Sequence, residues 1–396
     1  MKQQPILIIT LSALAWLPLP AQERINPARD GNVSLKLEIE RAVAKGVASL
    51  EKTQDPETGH WSDEKLPALT ALPVTAIIGD PNRDPSDPFP ESVEKGFAFI
   101  ESCAKPDGGI YGKGLATYNT ALSIMALVLS GKEEHLPLIA KGRRLLINQQ
   151  QDFDARGETD NLFDGGIGYG GTYAHSDLSN THLALEALYY SKKVLADTEH
   201  DRQDQFDLDW DAAIDFVSRT QNTEETATVL GEWAAVREED RGGFVYFPGD
   251  SKAGEVELET NDGPRTALRS YGSMSYAGLL AFIYADLDKD DPRLAQVMDW
   301  LRKNFTLEEN PGMEAQGLYY YYHTMAKALS LAGVHALSTG EGHSINWREQ
   351  LALEIMSRQQ PDGSWINVEA NRWMEDDPAL VTAYSLLALQ HVYRGL

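Results

Sequence analysis

The stretch QQPDGSW (359–365), with VTAYSLLALQHV (381–392) after it, decides the fold. A Pro-Asp-Gly turn carrying an aromatic residue leads into an apolar, Ala-rich run opened by Thr382. Glycine supplies the positive φ that reverses a chain between helices, and the run after it is too uniformly apolar for a surface helix. In front of the turn, REQLALEIMSRQ (348–359) places apolar residues at three- and four-residue spacing with charges between them, an amphipathic helix. Amphipathic helix, glycine turn and apolar helix together make one unit. Similar turns occur at TGHW (58–61), PDGGIYG (106–112), DGGIGYG (164–170), RGGFVYF (241–247) and QGLYYYY (316–322). Their second helices open at Thr75, Thr120, Thr181, Ser275 and Thr324. A repeat of this length, six times over, is the mark of a stacked architecture in which no unit can bury its apolar face alone.

Six helix pairs predict about twelve helices in two sets. Stretches such as EIERAVAKGVASLEK (38–52) belong to an outer ring, and NTALSIMALVLS (119–130), NTHLALEALYY (180–190), MSYAGLLAFIY (274–284) and HTMAKALSLAG (323–333) to an inner ring packed on most sides. The expected fold is therefore all-α, an (α/α)6 toroid, with residues 32–396 as a single domain. The interval from Thr181 to Ser275 is far longer than the others. Its excess, at about 197–262, is rich in Asp, Glu and Thr and reads as a solvated acidic insertion, although DLDWD (207–211) looks like the acidic start of a helix.

Lys2, the apolar run ILIITLSALAWL (6–17) and the small Ala21 read as a signal peptide over residues 1–21, so the chain is expected to be exported, periplasmic or extracellular. The run falls short of the roughly 20 apolar residues of a transmembrane helix, and no stable membrane anchor is expected. A formal charge of -25 repels a phosphate backbone, which excludes nucleic acid as a partner. Cys103 is the only cysteine, which rules out an intramolecular disulfide and a multi-cysteine zinc site.

The Gln-x-x-x-Gly-Ser-Trp of 359–365 resembles the "QW" turn of the prenyltransferase and squalene-cyclase repeat superfamily. Gln54, Gly59 and Trp61 repeat it more loosely, and the GG-aromatic turns at 108–111 and 165–169 look like variants in the β subunits of protein prenyltransferases. The resemblance covers nearly the whole chain after residue 32 and implies the same toroid, with chemistry at the mouth where inner helices begin. It also implies two catalytic sets, and neither is intact. Asp177-Leu178-Ser179-Asn180-Thr181 is similar to the cyclase D-x-D-D-T but carries Ser179 and Asn180 at its second and third acidic positions. His323 matches the position of a prenyltransferase zinc ligand, yet Arg269-Ser270-Tyr271-Gly272-Ser273 supplies neither of the other two ligands. The Cys-Gly-Glu-Gln of the thioester-containing toroids is absent. No metal and no cofactor are expected.

What remains at the expected mouth is polar and aromatic. Asp177 and His323 are the candidate catalytic groups, a carboxyl and an imidazole able to move protons. Tyr118, Asn119, Tyr173, His175, Asn180, Arg269, Tyr271, Tyr322 and Asp376 are the candidate cavity or substrate-binding residues. As a mechanical alternative, Asn and Thr at helix starts are ordinary caps and tyrosines are ordinary linings. The reading is a protein that binds an isoprenoid, lipid or other apolar ligand in a central cavity. Two alternatives stand beside it: an enzyme of terpenoid-cyclase or polysaccharide-lyase type, the latter acting on glycan, and a protein-interaction module using the acidic insertion.

Overall fold

The computed structural model describes residues 32–171, 175–200, 207–338 and 344–396. The expected signal peptide and Tyr173 lie outside the described residues. Six helix pairs follow one another along the chain. The outer members are α1 (Val33–Thr53), α3 (Glu91–Ser102), α5 (Leu136–Asn148), α7 (Trp210–Arg219), α10 (Pro292–Lys303) and α12 (Trp347–Ser357). Their inner partners are α2 (Ala68–Ile78), α4 (Ala116–Ser130), α6 (Leu178–Leu195), α9 (Gly272–Tyr284), α11 (Leu318–Leu331) and α13 (Pro378–Arg394), and a short α8 (Glu224–Leu230) lies between α7 and α9. Burial separates the sets as the hydropathy does. In α1 only Ile39, Ala42, Val43, Gly46, Ser49 and Leu50 are buried, one stripe of a helix, whereas α2 is buried throughout and α13 from Ala379 to Val392.

The inner helices pack in chain order, α2 on α4, α4 on α6, α6 on α9, α9 on α11 and α11 on α13. Helix α13 then packs back on α2, and α1 on α12 and α13, so the double ring is closed. This is the (α/α)6 toroid expected from the repeats.

The turns are the joints of the ring. Gln54, Gln150, Gln221 and Gln359 each donate to the carbonyl of the turn glycine and to a carbonyl on a neighbouring outer helix or at its N-terminal end, those of Ser92, Asp209, Arg293 and Ala42. The last bond ties the sixth unit to the first. Gly165 and Gly363 show why only glycine fits. Both have φ near the left-handed region, +82° and +92°, and a Cβ would lie 1.9 Å from the Ala212 carbonyl oxygen on α7 or 2.4 Å from that of Lys45 on α1. After the glycine, a backbone N–H donates to a hydroxyl in the first turn of the inner helix: Trp61 to Thr70, Ile110 to Thr120, Ile167 to Thr181, Phe244 to Ser275 and Trp365 to Thr382, at 2.9–3.1 Å. Trp61 and Trp365 are fully buried, their indole N–H groups on the Leu50 and Ile355 carbonyls.

Three details differ from the expectation. The first inner helix starts at Ala68, so its equivalent hydroxyl is Thr70 and not Thr75. The fifth unit has no glycine–aromatic turn: the tyrosines of QGLYYYY are the first turn of α11, and the Tyr321 and Tyr322 hydroxyls hold the preceding loop at the Thr306 and Leu307 carbonyls. The acidic stretch at 197–262 is only partly a solvated insertion. Its residues 210–219 form the fourth outer helix, capped by Asp209, with Ala213, Phe216 and Val217 buried at helical spacing beneath an acidic exterior. The added chain is α8 with a small sheet, in which β1 (Ala234–Ala235) pairs in parallel with β3 (Gly263–Leu268), itself antiparallel to β2 (Glu255–Thr260).

Candidate functional site

Closing six helices into a ring leaves their N-terminal ends around one axis, and a cavity of about 250 Å³ opens there. Leu69, Tyr118, Ser179, Ser273, Tyr320 and Leu380 line it, one from each inner helix in the order α2 to α13. Tyr169, Tyr246, Tyr271 and Tyr384 extend the aromatic wall, and Lys252, Trp373 and Glu375 come from loops over the mouth. The lining is apolar and phenolic, the surface that suits a ligand with much carbon and few polar groups.

Asp177 is the N-cap of α6, fully buried, and accepts from the Asn180 backbone N–H at 2.8 Å and from the Asn180 amide at 2.9 and 3.1 Å. The Tyr246 hydroxyl donates to it as well. Burial outweighs these bonds and pushes its carboxyl up to about 7. Asp177 therefore stands behind the cavity wall and reaches the cavity through Tyr246, whose own hydroxyl is pushed up by burial and by the neighbouring carboxylate. Ser179, at the second position of the degenerate acidic motif, faces the cavity itself.

On the α11 side, Glu375 makes the same kind of site. One carboxylate oxygen accepts from the backbone N–H groups of Tyr319 and Tyr320, both at 2.9 Å, and the other from the Asn367 amide at 2.7 Å. Burial again raises the carboxyl to about 7. Trp373 and Met374 before it both hold left-handed backbone, φ 59° and 64°, a costly arrangement for two non-glycine residues that turns Glu375 inward.

The other expected residues separate into three groups. Tyr118 and Tyr271 line the cavity. Asn119 and Asn180 are structural: Asn119 is fully buried and caps α2 through the Ala68 N–H, and Asn180 holds Asp177. His175 packs between Phe163 and Phe247, Arg269 donates to the Ala253 carbonyl, Tyr322 bonds the Leu307 carbonyl, and Asp376 is exposed; none of these four lines the cavity. His323 lies deeper, against a chamber of about 20 Å³ beneath the main cavity, so it is not brought together with Asp177. Sequence reasoning missed Glu375 beside the exposed Asp376. The signal was the Asp377-Pro378 helix start, which fixes the register of the residues before it. It missed Lys252 because it sits in the stretch taken for insertion, and Tyr246 because RGGFVYF was read only as a repeat turn. Lys252 pairs with Asp250 at 2.6 Å and lies 4.4 Å from the Tyr246 ring centre, a cation at the mouth.

Among the described residues no cluster of three or more His, Cys, Asp or Glu could hold a metal ion, and no helix is long and apolar enough to cross a membrane.

No family model and no curated protein matches the chain. Solved structures share its fold at low identity. A variant of the type II terpene cyclase MstE from Scytonema, in complex with geranylgeranyl dihydroxybenzoate, matches with a TM-score of 0.53 at 12% identity, over 92% of this chain and 100% of its own. The apo form of MstE gives 0.52 at 12% identity over 91% and 99%. A glycoside hydrolase family 76 mannosidase from Bacteroides thetaiotaomicron gives 0.50 at 13% identity over 89% and 98%. The chain thus has the toroid that terpene cyclases and glycoside hydrolases share, and the likeness is one of fold.

Proposed function

We propose that this protein, exported through its leader-like N-terminus, binds an isoprenoid, lipid or other apolar small molecule in the cavity at the inner-helix mouth, as a relative of the squalene-cyclase and prenyltransferase repeat proteins. The observation that carries the reading is the lining: six tyrosines, four leucines, Met274 and Met374 around one cavity. The glycan alternative is less favoured, because Arg269 is outside the cavity and the cation that does line it, Lys252, is at the mouth and paired with Asp250. The stretch at 197–262 contributes Tyr246 and Lys252 to the wall while leaving the cavity open, which favours a ligand over a protein plug.

A second reading has its own observation. Asp177 and Glu375 are buried carboxyls that hold protons near neutral pH beside an apolar space, the condition for acid catalysis on a carbon-rich substrate. Incubating the purified chain with a mixed lipid extract and, separately, with uronate polysaccharides, then identifying retained and converted species by mass spectrometry, separates the readings. A retained, unchanged lipid is the expected result. Conversion abolished by Asp177→Asn establishes an enzyme, and retention of polysaccharide alone sinks the apolar-ligand reading.

A further inference from the structure

Below the main cavity, Tyr118, Tyr320 and Tyr384 form a common floor: all three line both the main cavity and the 20 Å³ chamber under it. The Tyr118 and Tyr384 hydroxyls are hydrogen-bonded to each other, and the Tyr320 hydroxyl lies 3.3 Å from His182 Nε2. Four leucines make the apolar part of the chamber wall, and His182, His323 and Lys327 supply most of its polar part. Such a set of ionisable groups inside the inner ring is not required by packing.

Its charge is internally balanced. Lys327 on α11 pairs with Glu186 on α6, both buried. Burial, together with the positive charge of Lys327, holds His182 down at about 3 and His323 well below its ordinary value, so both imidazoles are neutral. A neutral imidazole offers one donor and one acceptor. His323 stacks on the Tyr384 ring at 5.6 Å and 19°, and its Nδ1 is buried with no hydrogen-bond partner among the described residues. An orphaned buried polar atom in a native core points to a group that completes it. The chamber's volume fits one oxygen with its hydrogen, and little more.

We infer that the chamber beneath the tyrosine floor is a subsite for one neutral hydroxyl, the alcohol end of a ligand whose apolar body fills the cavity above. This rests on the apolar-ligand reading and adds a polarity and an orientation to it. His182 is already satisfied, by the Leu178 carbonyl at Nδ1 and the Tyr320 hydroxyl at Nε2, so the group the chamber calls for is one that bonds His323 Nδ1, and a hydroxyl serves whichever tautomer His323 holds because it both donates and accepts. Lys327, the ion that lines the chamber, is already neutralised by Glu186, so a carboxylate or an ammonium would enter stripped of water with no free counter-charge, and the subsite selects against both. To reach it the alcohol has to pass between the floor tyrosines, which requires their rings to turn aside and the Tyr118–Tyr384 bond to open.

The test compares three probes of one chain length, octan-1-ol, octane and octanoate, by direct binding measurements on the wild-type chain and on His323→Leu. The alcohol is expected to bind about tenfold more tightly than the alkane, the order of one added buried hydrogen bond, with octanoate weakest. In His323→Leu the alcohol's advantage shrinks to about threefold or less while the alkane binds as well as before. The wild-type comparison decides by itself should the variant not fold. Equal binding of alcohol and alkane overturns the subsite and leaves the apolar cavity standing. Binding of neither probe overturns both. A crystal structure of the alcohol complex with a water on His323 Nδ1 and the alcohol end at the mouth assigns the chamber to water and overturns the proposal.

Discussion

Asp177 caps a helix, and a cap prefers the ionised carboxylate, whereas its burial prefers the proton. Burial wins and holds the group to about 7. The unfolded chain ionises near its ordinary value of about 3.9, so between these limits the native state binds a proton that the unfolded state has lost. The group's contribution is thus fully present below the unfolded value and falls as pH rises through this window, levelling off above the folded one. Asp177→Asn keeps an acceptor for the Asn180 N–H and removes the titration. Relative to wild type, this variant is expected to gain stability with rising pH at up to about 1.4 kcal/mol per unit between roughly pH 4 and 7. Urea midpoints across that range check it; parallel curves for the two proteins would show that Asp177 is ionised throughout. The buried histidines act in the opposite sense. His182 is neutral in the fold down to about 3, so stability is lost as pH falls through the unfolded value near 6.5. His182→Phe should flatten the acid limb of the same titration. Asp177 was visible in the sequence because it keeps one position of a known motif; its partner Tyr246 was not, since nothing local ties residue 246 to residue 177.

At the scale of an element, the turn glycines carry the joints between units. Gly165→Ala forces a methyl group into the Ala212 carbonyl on α7 while holding φ at +82°, and both penalties fall on one residue. A loss of about 3 kcal/mol or more is expected. Gly157 is its control, with φ +80° and open space for 4 Å around the place a Cβ would take, so Gly157→Ala should cost only about 1 kcal/mol. Denaturant midpoints of the two variants compare contact with conformation directly, and equal losses would mean that the joint is not under close packing. These joints were the most legible feature of the sequence, because a glycine between an amphipathic and an apolar helix has few other uses. Legibility failed where a unit solves the same problem with other chemistry. The fifth unit ties its loop through the tyrosine hydroxyls of α11, and those tyrosines read as a turn. The start of helix α7 was legible at DLDWD, but its acidic surface kept it inside the stretch read as insertion, although Trp210, Ala213, Ile214 and Val217 mark a helical stripe.

Over the whole molecule, closure distinguishes this chain from an open array of helix pairs. In an open array each unit touches only its neighbours, and removing an end leaves the rest folded. Here α1 packs on α12 and α13, α2 on α13, and Gln359 bonds the Ala42 carbonyl across 317 residues of sequence. The first and last units therefore share one interface, and the core of the final inner helix is completed by the start of the chain. The cavity depends on the same closure, since each of the six inner helices contributes to its wall. Deleting residues 33–53 should thus remove ordered structure well beyond α1. The wild-type chain is expected to unfold in urea in one transition, with tryptophan fluorescence and far-ultraviolet circular dichroism coincident, and the deleted chain to lose that sharp transition together with ligand retention. Gln359→Ala, which removes the bond between the ends and the one to its own turn, should lower stability by about 1–3 kcal/mol, read as a lower midpoint at unchanged slope, because the Ala42 and Gly363 carbonyls lose their donor while the packing remains. A deleted chain that keeps a sharp transition would mean that the ring is held unit by unit, with its closing interface adding little.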